Sequence, residues 1–414
     1  MKRVRLLVIC LASIFILFLC QSGQAAEQTY KIGVLQPFTG VYTMLGEEAY
    51  AACEVAAAQI NASGGVLGRK IELVKKDDKS DVATAVRQAK DMVLRDNVEA
   101  IIGVVSSGAL LGMIEVTKED KVIHISTISN TELATLERIH PYYFQTVPNS
   151  YMESEAIAKY LSKVEFKNWV SIASDYEWGR GTISRLKAVL EKTKPQVKQI
   201  AEYWPPLKET DFSSYITATM NHNPDLVVGL LAGSGYQVFF RQARGYKFFE
   251  KIPFLGPGFE GDVIALGAEF PEGVRIYSRG APYALKGPEM EAFTAAYIKV
   301  LNRDPTCWSI LSYDAMTCLA EAIKRAGSFN KDAIAKKLET EKFKTLRGEL
   351  YFRDIDHQMN SPHYFSTSVF DKAKGYCVGK DVVVIPGEQN FKSAEEIKKY
   401  REAKGISFVP WSAK

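Results

Sequence analysis

The fold turns on residues 31–65. Lys31-Ile32-Gly33-Val34-Leu35 is a short apolar run, followed by the loop Gln36-Pro37-Phe38-Thr39-Gly40-Val41-Tyr42. Glu47–Ile60 then places Ala49, Cys53, Ala56, Ala57 and Ile60 at helical spacing, and Gly64-Gly65 supplies the left-handed residues that end a helix. A strand, a loop and a helix in this order make one unit of a parallel sheet. The unit recurs along the chain. Candidate strands are Lys31–Leu35, Lys70–Val74, Ala100–Val105, Val122–Ser126, Trp169–Ala173, Leu226–Leu231, Pro253–Leu255 and Val274–Tyr277. Helical patterns lie between them at Ser80–Leu94, Glu153–Ser162, Gly181–Lys192, Phe212–Met220, Gly235–Arg244, Pro288–Leu301 and Ile310–Ala326. This alternation predicts an α/β fold with parallel sheets covered by helices on both faces. His363–Phe370 and Val382–Pro386 read as late strands, and Ser393 with Glu396 reads as the capping box of a last helix reaching about Lys404.

The other end of the chain is an address. Lys2, Arg3 and Arg5 precede the apolar run Leu6–Cys20, and Gly23 and Ala25 fit a cleavage site, so residues 1–25 are expected to be a secretory signal peptide. The formal charge is +4, from 52 Lys+Arg against 48 Asp+Glu. Removing the leader takes three basic residues and no acid, leaving 49 basic against 48 acidic residues. No Lys/Arg-rich block remains to track phosphates, so no nucleic-acid partner is expected. Export also leaves four cysteines, Cys53, Cys307, Cys318 and Cys377, which an oxidising compartment could pair in three ways. If Cys307 and Cys318 share a helix, they stand about 16 Å apart and cannot bridge.

In open α/β sheets the ligand lies beyond the carboxyl ends of the strands. The loops there carry hydroxyls, amides and aromatics with few charges: Tyr42; Ser106-Ser107-Gly108; Ser126 to Thr131; Ser174 to Gly179 with Trp178; and Trp308 further on. Ser106-Ser107 opens a helix, where unpaired N–H groups favour an anion, although a serine there also serves as a simple cap. Enzyme patterns are missing. Gly103–Gly108 lacks the spacing of a nucleophile elbow and the lysine of a phosphate-binding loop, and the five histidines have no metal-ligand spacing. Neither catalysis, a metal nor a cofactor is expected. His124 reads as a core residue, and Asp77-Asp78 as a solvated strand end.

Together these stretches resemble the branched-chain amino acid type of periplasmic binding protein. The resemblance rests on Lys31–Leu35 with Thr39-Gly40, Ala57–Gly68, Lys75–Asp78, Ile101–Gly108, Val122–Leu133, Asp175–Gly181, Phe239–Gly245, Ser312–Ala315 and Asp356–Gln358. It implies two doubly wound parallel-sheet lobes joined by three hinge crossovers. One lobe would comprise residues 26–148 and 282–360, the other 149–281 and 361–387, with 388–414 a C-terminal helix and tail. It also implies a monomer in the periplasm that closes on a small-molecule ligand and passes it to the permease subunits of an ABC importer. A ligand-sensing domain that signals through a membrane partner is the alternative.

Carried over residue by residue, the resemblance puts Ser107, with Ser106 beside it, on a ligand carboxylate. Ile128 and either Ser129 or Asn130 fall on an amino-acid head group, and Tyr42, Trp178 and Trp308 on the pocket wall. Two positions depart: Ala232 stands where the family has a tyrosine, and Gly258 where it has the acid that pairs with an ammonium. Glu260 is the nearest substitute. The expected ligand is therefore a small carboxylate or amide, including aromatic acids, in preference to a branched-chain amino acid.

Overall fold

The protein is described by a computed structural model over residues 29–413, and the expected leader lies outside the described residues. Tyr30–Gln36 (β1), Ile71–Asp77 (β2), Ala100–Gly103 (β3), Ile123–Ser126 (β4) and Tyr143–Gln145 (β5) form one sheet in the order β2-β1-β3-β4-β5. Every pairing in it is parallel, with Ile32 opposite Leu73 on one side and Ala100 on the other. All four residues of β3 are buried, as expected of a central parallel strand covered on both faces.

A second sheet contains Asn168–Ala173 (β6), Lys198–Tyr203 (β7), Leu226–Leu230 (β8), Phe254–Pro257 (β9) and Arg275–Ser278 (β10). After a small hairpin, Lys342–Thr345 (β11) with Gly348–Tyr351 (β12), it is completed by His363–Asp371 (β13) and Tyr376–Ile385 (β14). The order is β14-β13-β10-β9-β8-β6-β7. Here β13 pairs antiparallel with both β10 and β14, so this sheet is mixed.

The chain passes from the first sheet to the second after β5, leaves after β10, and re-enters before β13. Between the last two passages, helices Pro288–Leu301 and Cys307–Ala326 pack on the first lobe, where Met290, Phe293 and Ile310 cluster with Ala51, Ala52 and Val55. Arg347, in the turn of the β11–β12 hairpin, ties the three passages together. Its Nε donates to Asp314 Oδ2 at 2.8 Å, and its Nη1 reaches Thr146 O, Arg279 O and Ser361 Oγ, one from each passage. Both members of the Arg347–Asp314 pair are fully buried. Arg347→Ala strands a buried carboxylate and is expected to cost about 3–5 kcal/mol of unfolding free energy, measured by denaturant titration. A loss below about 1 kcal/mol would contradict that role.

The chain end returns to the first lobe. Ser393 and Glu396 form the expected capping box on helix Ala394–Lys404. Arg401 of that helix donates to the carbonyls of Thr135, Leu136 and Ile355, and Trp411 Nε1 donates to Pro141 O at 3.0 Å. No helix among the described residues is long and apolar enough to cross a membrane.

Several smaller expectations are also settled. The four cysteines are free buried thiols, with Cys307 and Cys318 on one helix. His124 is fully buried with Nε2 3.0 Å from Gly103 O, and burial holds its pKa down at about 4. Asp77-Asp78 is not a simple solvated end. Asp77 accepts from the backbone of Phe38 and Thr39, whereas Asp78 is buried, accepts from Ser80 N, and has its pKa raised by burial to about 6.

Candidate binding cleft

A cavity between the two lobes is lined by Tyr42, Leu45, Val105, Ser107, Ile128 and Asn130 from the first and Tyr176, Trp178, Ala232, Phe259 and Arg279 from the second. Trp308 reaches it from the Cys307–Ala326 helix. The βα topology explains most of the convergence, since three of the four helices follow parallel strands and Cys307–Ala326 follows helix Pro288–Leu301. Helices Thr43–Ala62, Ser107–Glu119, Glu177–Thr193 and Cys307–Ala326 all begin here, contributing Tyr42, Ser107, Trp178 and Trp308 from or beside their first turns. Their N-terminal ends direct partial positive charge towards the same space.

Five aromatic rings form a continuous arc. Centroid separations are 6.5 Å for Tyr42–Tyr176, 5.9 Å for Tyr176–Trp178, 6.2 Å for Trp178–Phe259 and 5.4 Å for Phe259–Trp308. Arg279 stands among them, its guanidinium carbon 5.5 Å from the Trp178 ring and 5.0 Å from that of Trp308. It is held from behind by Glu153, to whose Oε2 its Nε donates at 2.7 Å. The same carboxylate accepts from Asn130 Nδ2 at 3.1 Å, Trp178 Nε1 at 3.0 Å and the Tyr277 hydroxyl at 2.7 Å. Four donors occupy the four acceptor sites of a carboxylate. Arg279 Nη2 lies 2.5 Å from Glu153 Oε2 but out of line for a hydrogen bond, and neither terminal nitrogen of Arg279 has an aligned acceptor among the described residues.

The lobes are closed. Asn130 of the first lobe meets Glu153 of the second, and the Thr131 hydroxyl donates to Glu177 Oε1 at 2.5 Å. Glu48 on the Thr43–Ala62 helix lies so close to Gly261 that a β-carbon there would come within 1.9 Å of its Oε1. The enclosed space is about 20 Å³, close to one water. An organic ligand must therefore part the lobes to enter.

Six of the residues singled out from sequence line this cavity: Tyr42, Ser107, Ile128, Asn130, Trp178 and Trp308. Ser106 instead caps its helix, accepting from Ala109 N, and the Ser129 hydroxyl lies behind Ser107 at 3.5 Å. Gly258 and Glu260 face away. Alternation along the loop turns Phe259 into the cleft and its two neighbours towards a second, larger cavity of about 540 Å³ beside helix Pro288–Leu301. Glu260 is occupied there, accepting from Ser278 Oγ at 2.6 Å and Cys307 N at 2.9 Å, so it offers an ammonium no free oxygen in the cleft. Arg279, Glu153, Tyr176 and Phe259 were not anticipated. The usable signal for Arg279 was its place directly after strand β10, where a cleft residue belongs.

Comparison with known proteins agrees with this geometry. The profile of the family described as periplasmic binding protein matches residues 29–374. The leucine-, isoleucine-, valine-, threonine- and alanine-binding protein of Pseudomonas aeruginosa is 26% identical over 340 residues, covering 80% of this chain and 87% of the relative. Solved structures share the fold. A solute-binding protein of an ABC transporter from R. palustris in complex with benzoate has TM-score 0.77 and 21% identity, covering 87% of this chain and 97% of that one. One from Rhodopseudomonas palustris HaA2 in complex with p-hydroxybenzoic acid has TM-score 0.78 and 19% identity, covering 89% and 100%. A branched-chain amino acid transporter substrate-binding protein from Streptococcus pneumoniae in complex with isoleucine has TM-score 0.77 and 23% identity, covering 87% and 100%.

Proposed function

Because the chain belongs to the periplasmic binding protein family, we propose that it captures a small organic solute between its lobes in the periplasm and delivers it to the permease of an ABC importer. The solute carries a carboxylate or an amide. One observation carries this reading: Arg279 is buried in the cleft wall across from the lobe of Ser107, with Nε and Nη2 on Glu153 and Nη1 without a hydrogen-bond partner among the described residues. Glu153 balances the charge of this guanidinium, but a buried N–H donor without an acceptor is still costly, and an incoming carboxylate supplies the acceptor that Nη1 lacks. The helix ends add to the attraction for an anion.

Structural relatives support a small organic acid as the solute, since two are described with benzoate or p-hydroxybenzoic acid and one with isoleucine. Hinge closure is the expected mode of action, with Arg347 as the point through which the three passages stay connected. The test is mass spectrometry of ligand retained through native purification, followed by calorimetric titration. Ser107→Ala is expected to weaken the identified carboxylate about tenfold or more through loss of a hydrogen bond to a charged group. An unchanged affinity would remove Ser107 from the site.

A further inference from the structure

An α-amino acid needs two opposite partners in a closed cleft: donors for its carboxylate, and an acid or several carbonyls for its ammonium. The acids near this cleft are either occupied by other donors or stand outside its lining. Glu153 has all its acceptor sites filled by Asn130, Trp178, Tyr277 and Arg279. Glu260 is turned to the other side of its loop and bound to Ser278 and to the first N–H of the Cys307–Ala326 helix. Glu177 accepts from Thr131 through Oε1 and Glu48 from Thr306 Oγ1 at 2.9 Å through Oε2; each keeps a second oxygen without a hydrogen-bond partner, but neither residue lines the cavity. Among the described residues, no charged group other than Arg279 lines the cavity.

We infer that the ligand is a carboxylate without an ammonium group, carrying an aromatic ring, and that Arg279 and Glu153 set this preference. The inference rests on the binding-protein reading above and narrows its ligand class. Arg279 takes the carboxylate with Nη1, the nitrogen that does not face Glu153. Glu153 does not touch the ligand; it is a positioning residue that holds the guanidinium through Nε and an ion pair to Nη2 and leaves Nη1 for the solute. The arc from Tyr42 through Tyr176, Trp178 and Phe259 to Trp308 offers faces and edges for a ring to pack against. A branched aliphatic chain would gain burial there but not the ring contacts.

The test is a calorimetric panel on the full mature protein: benzoate, cyclohexanecarboxylate, benzamide, L-phenylalanine and L-leucine. Benzoate should bind tightest. Both amino acids should be weaker by about 100-fold or more, the consequence of burying an unpaired ammonium. Benzamide should be weaker too, because it lacks the charge that Arg279 and the helix ends attract. Tight binding of L-leucine or L-phenylalanine with benzoate weak would overturn this inference while sparing the transport reading. No binding by any member, and no solute recovered from the native protein, would overturn both. Glu153→Gln separates positioning from mere support: calorimetry and thermal unfolding are compared on the same sample. The expected result is a weakened preference for benzoate over benzamide in a protein that still unfolds cooperatively. An unchanged preference would remove Glu153 from the determinant.

Discussion

Replacing Arg279 with methionine is expected to weaken benzoate binding by at least about 100-fold, because the ligand's charge would enter a closed cleft without its partner. Methionine keeps much of the apolar stem in place, so packing against Trp178 and Trp308 is disturbed less than by alanine. The change also removes one of the four donors on Glu153, leaving Asn130, Trp178 and Tyr277 on that carboxylate. A drop in stability is therefore expected alongside the binding loss, and benzamide controls for it. If Arg279 acts through charge, the variant should lose far more affinity for benzoate than for benzamide. Equal losses for both would mean that the residue serves only to support the wall. Arg279→Lys should recover part of the affinity, since it restores charge but not the planar fork.

The second large effect is on pH. Glu48 of the first lobe and Asp262 of the second are buried close together where the Thr43–Ala62 helix meets Gly261. Burial raises Glu48 to about 8, against the pull of Arg303 and the Thr306 hydroxyl, and raises Asp262 to about 7, against the Gln237 hydrogen bond and Arg303. Glu260, on the same short helix as Asp262, is also raised by burial and adds negative charge facing Glu48. Parting the lobes returns these groups to water, so closure takes up protons. Their contribution to the closed form is full below the ordinary carboxylate range and is lost as pH rises through about 7 and about 8. Ligand affinity should therefore fall by about tenfold or more between pH 5.5 and 8.5, over which a benzoate-type ligand stays ionised. Calorimetry across that range checks it, and Glu48→Gln should flatten the slope. Affinity that is constant or rises with pH in the native protein would contradict proton uptake on closure.

The fold was open to sequence reading where the parallel strands are buried on both faces. Ala100–Gly103 and Leu226–Leu230 are unbroken apolar runs because helices cover both sides. Tyr143–Gln145 escaped notice because three residues carry no period, and Lys198–Tyr203 because it is an edge strand whose polar residues face solvent. The hairpin carrying Arg347 was missed as well. Its strands are four residues each, and its importance lies in three partners that only the folded chain assembles.

The cleft divides in the same way. Ser107 and Trp178 follow from the rule that ligands gather at the starts of helices after parallel strands, whereas Trp308 starts a helix that follows helix Pro288–Leu301 and entered through the family resemblance. Arg279 was not singled out, because its partner Glu153 is 126 residues away in sequence on a helix and only the folded chain brings them together. Glu260 misled for a local reason: with Phe259 turned inwards, the residues on either side must face the other way.

The account centres on a carboxylate held between Arg279 and the helix that starts at Ser107, and a crystal structure grown with benzoate tests it most directly. The predicted result is closed lobes, with the benzoate carboxylate on Nη1 of Arg279 and on Ser107, and its ring within the arc from Tyr42 to Trp308. Benzoate seated instead in the larger cavity beside helix Pro288–Leu301, or its carboxylate lying away from Arg279, would contradict it.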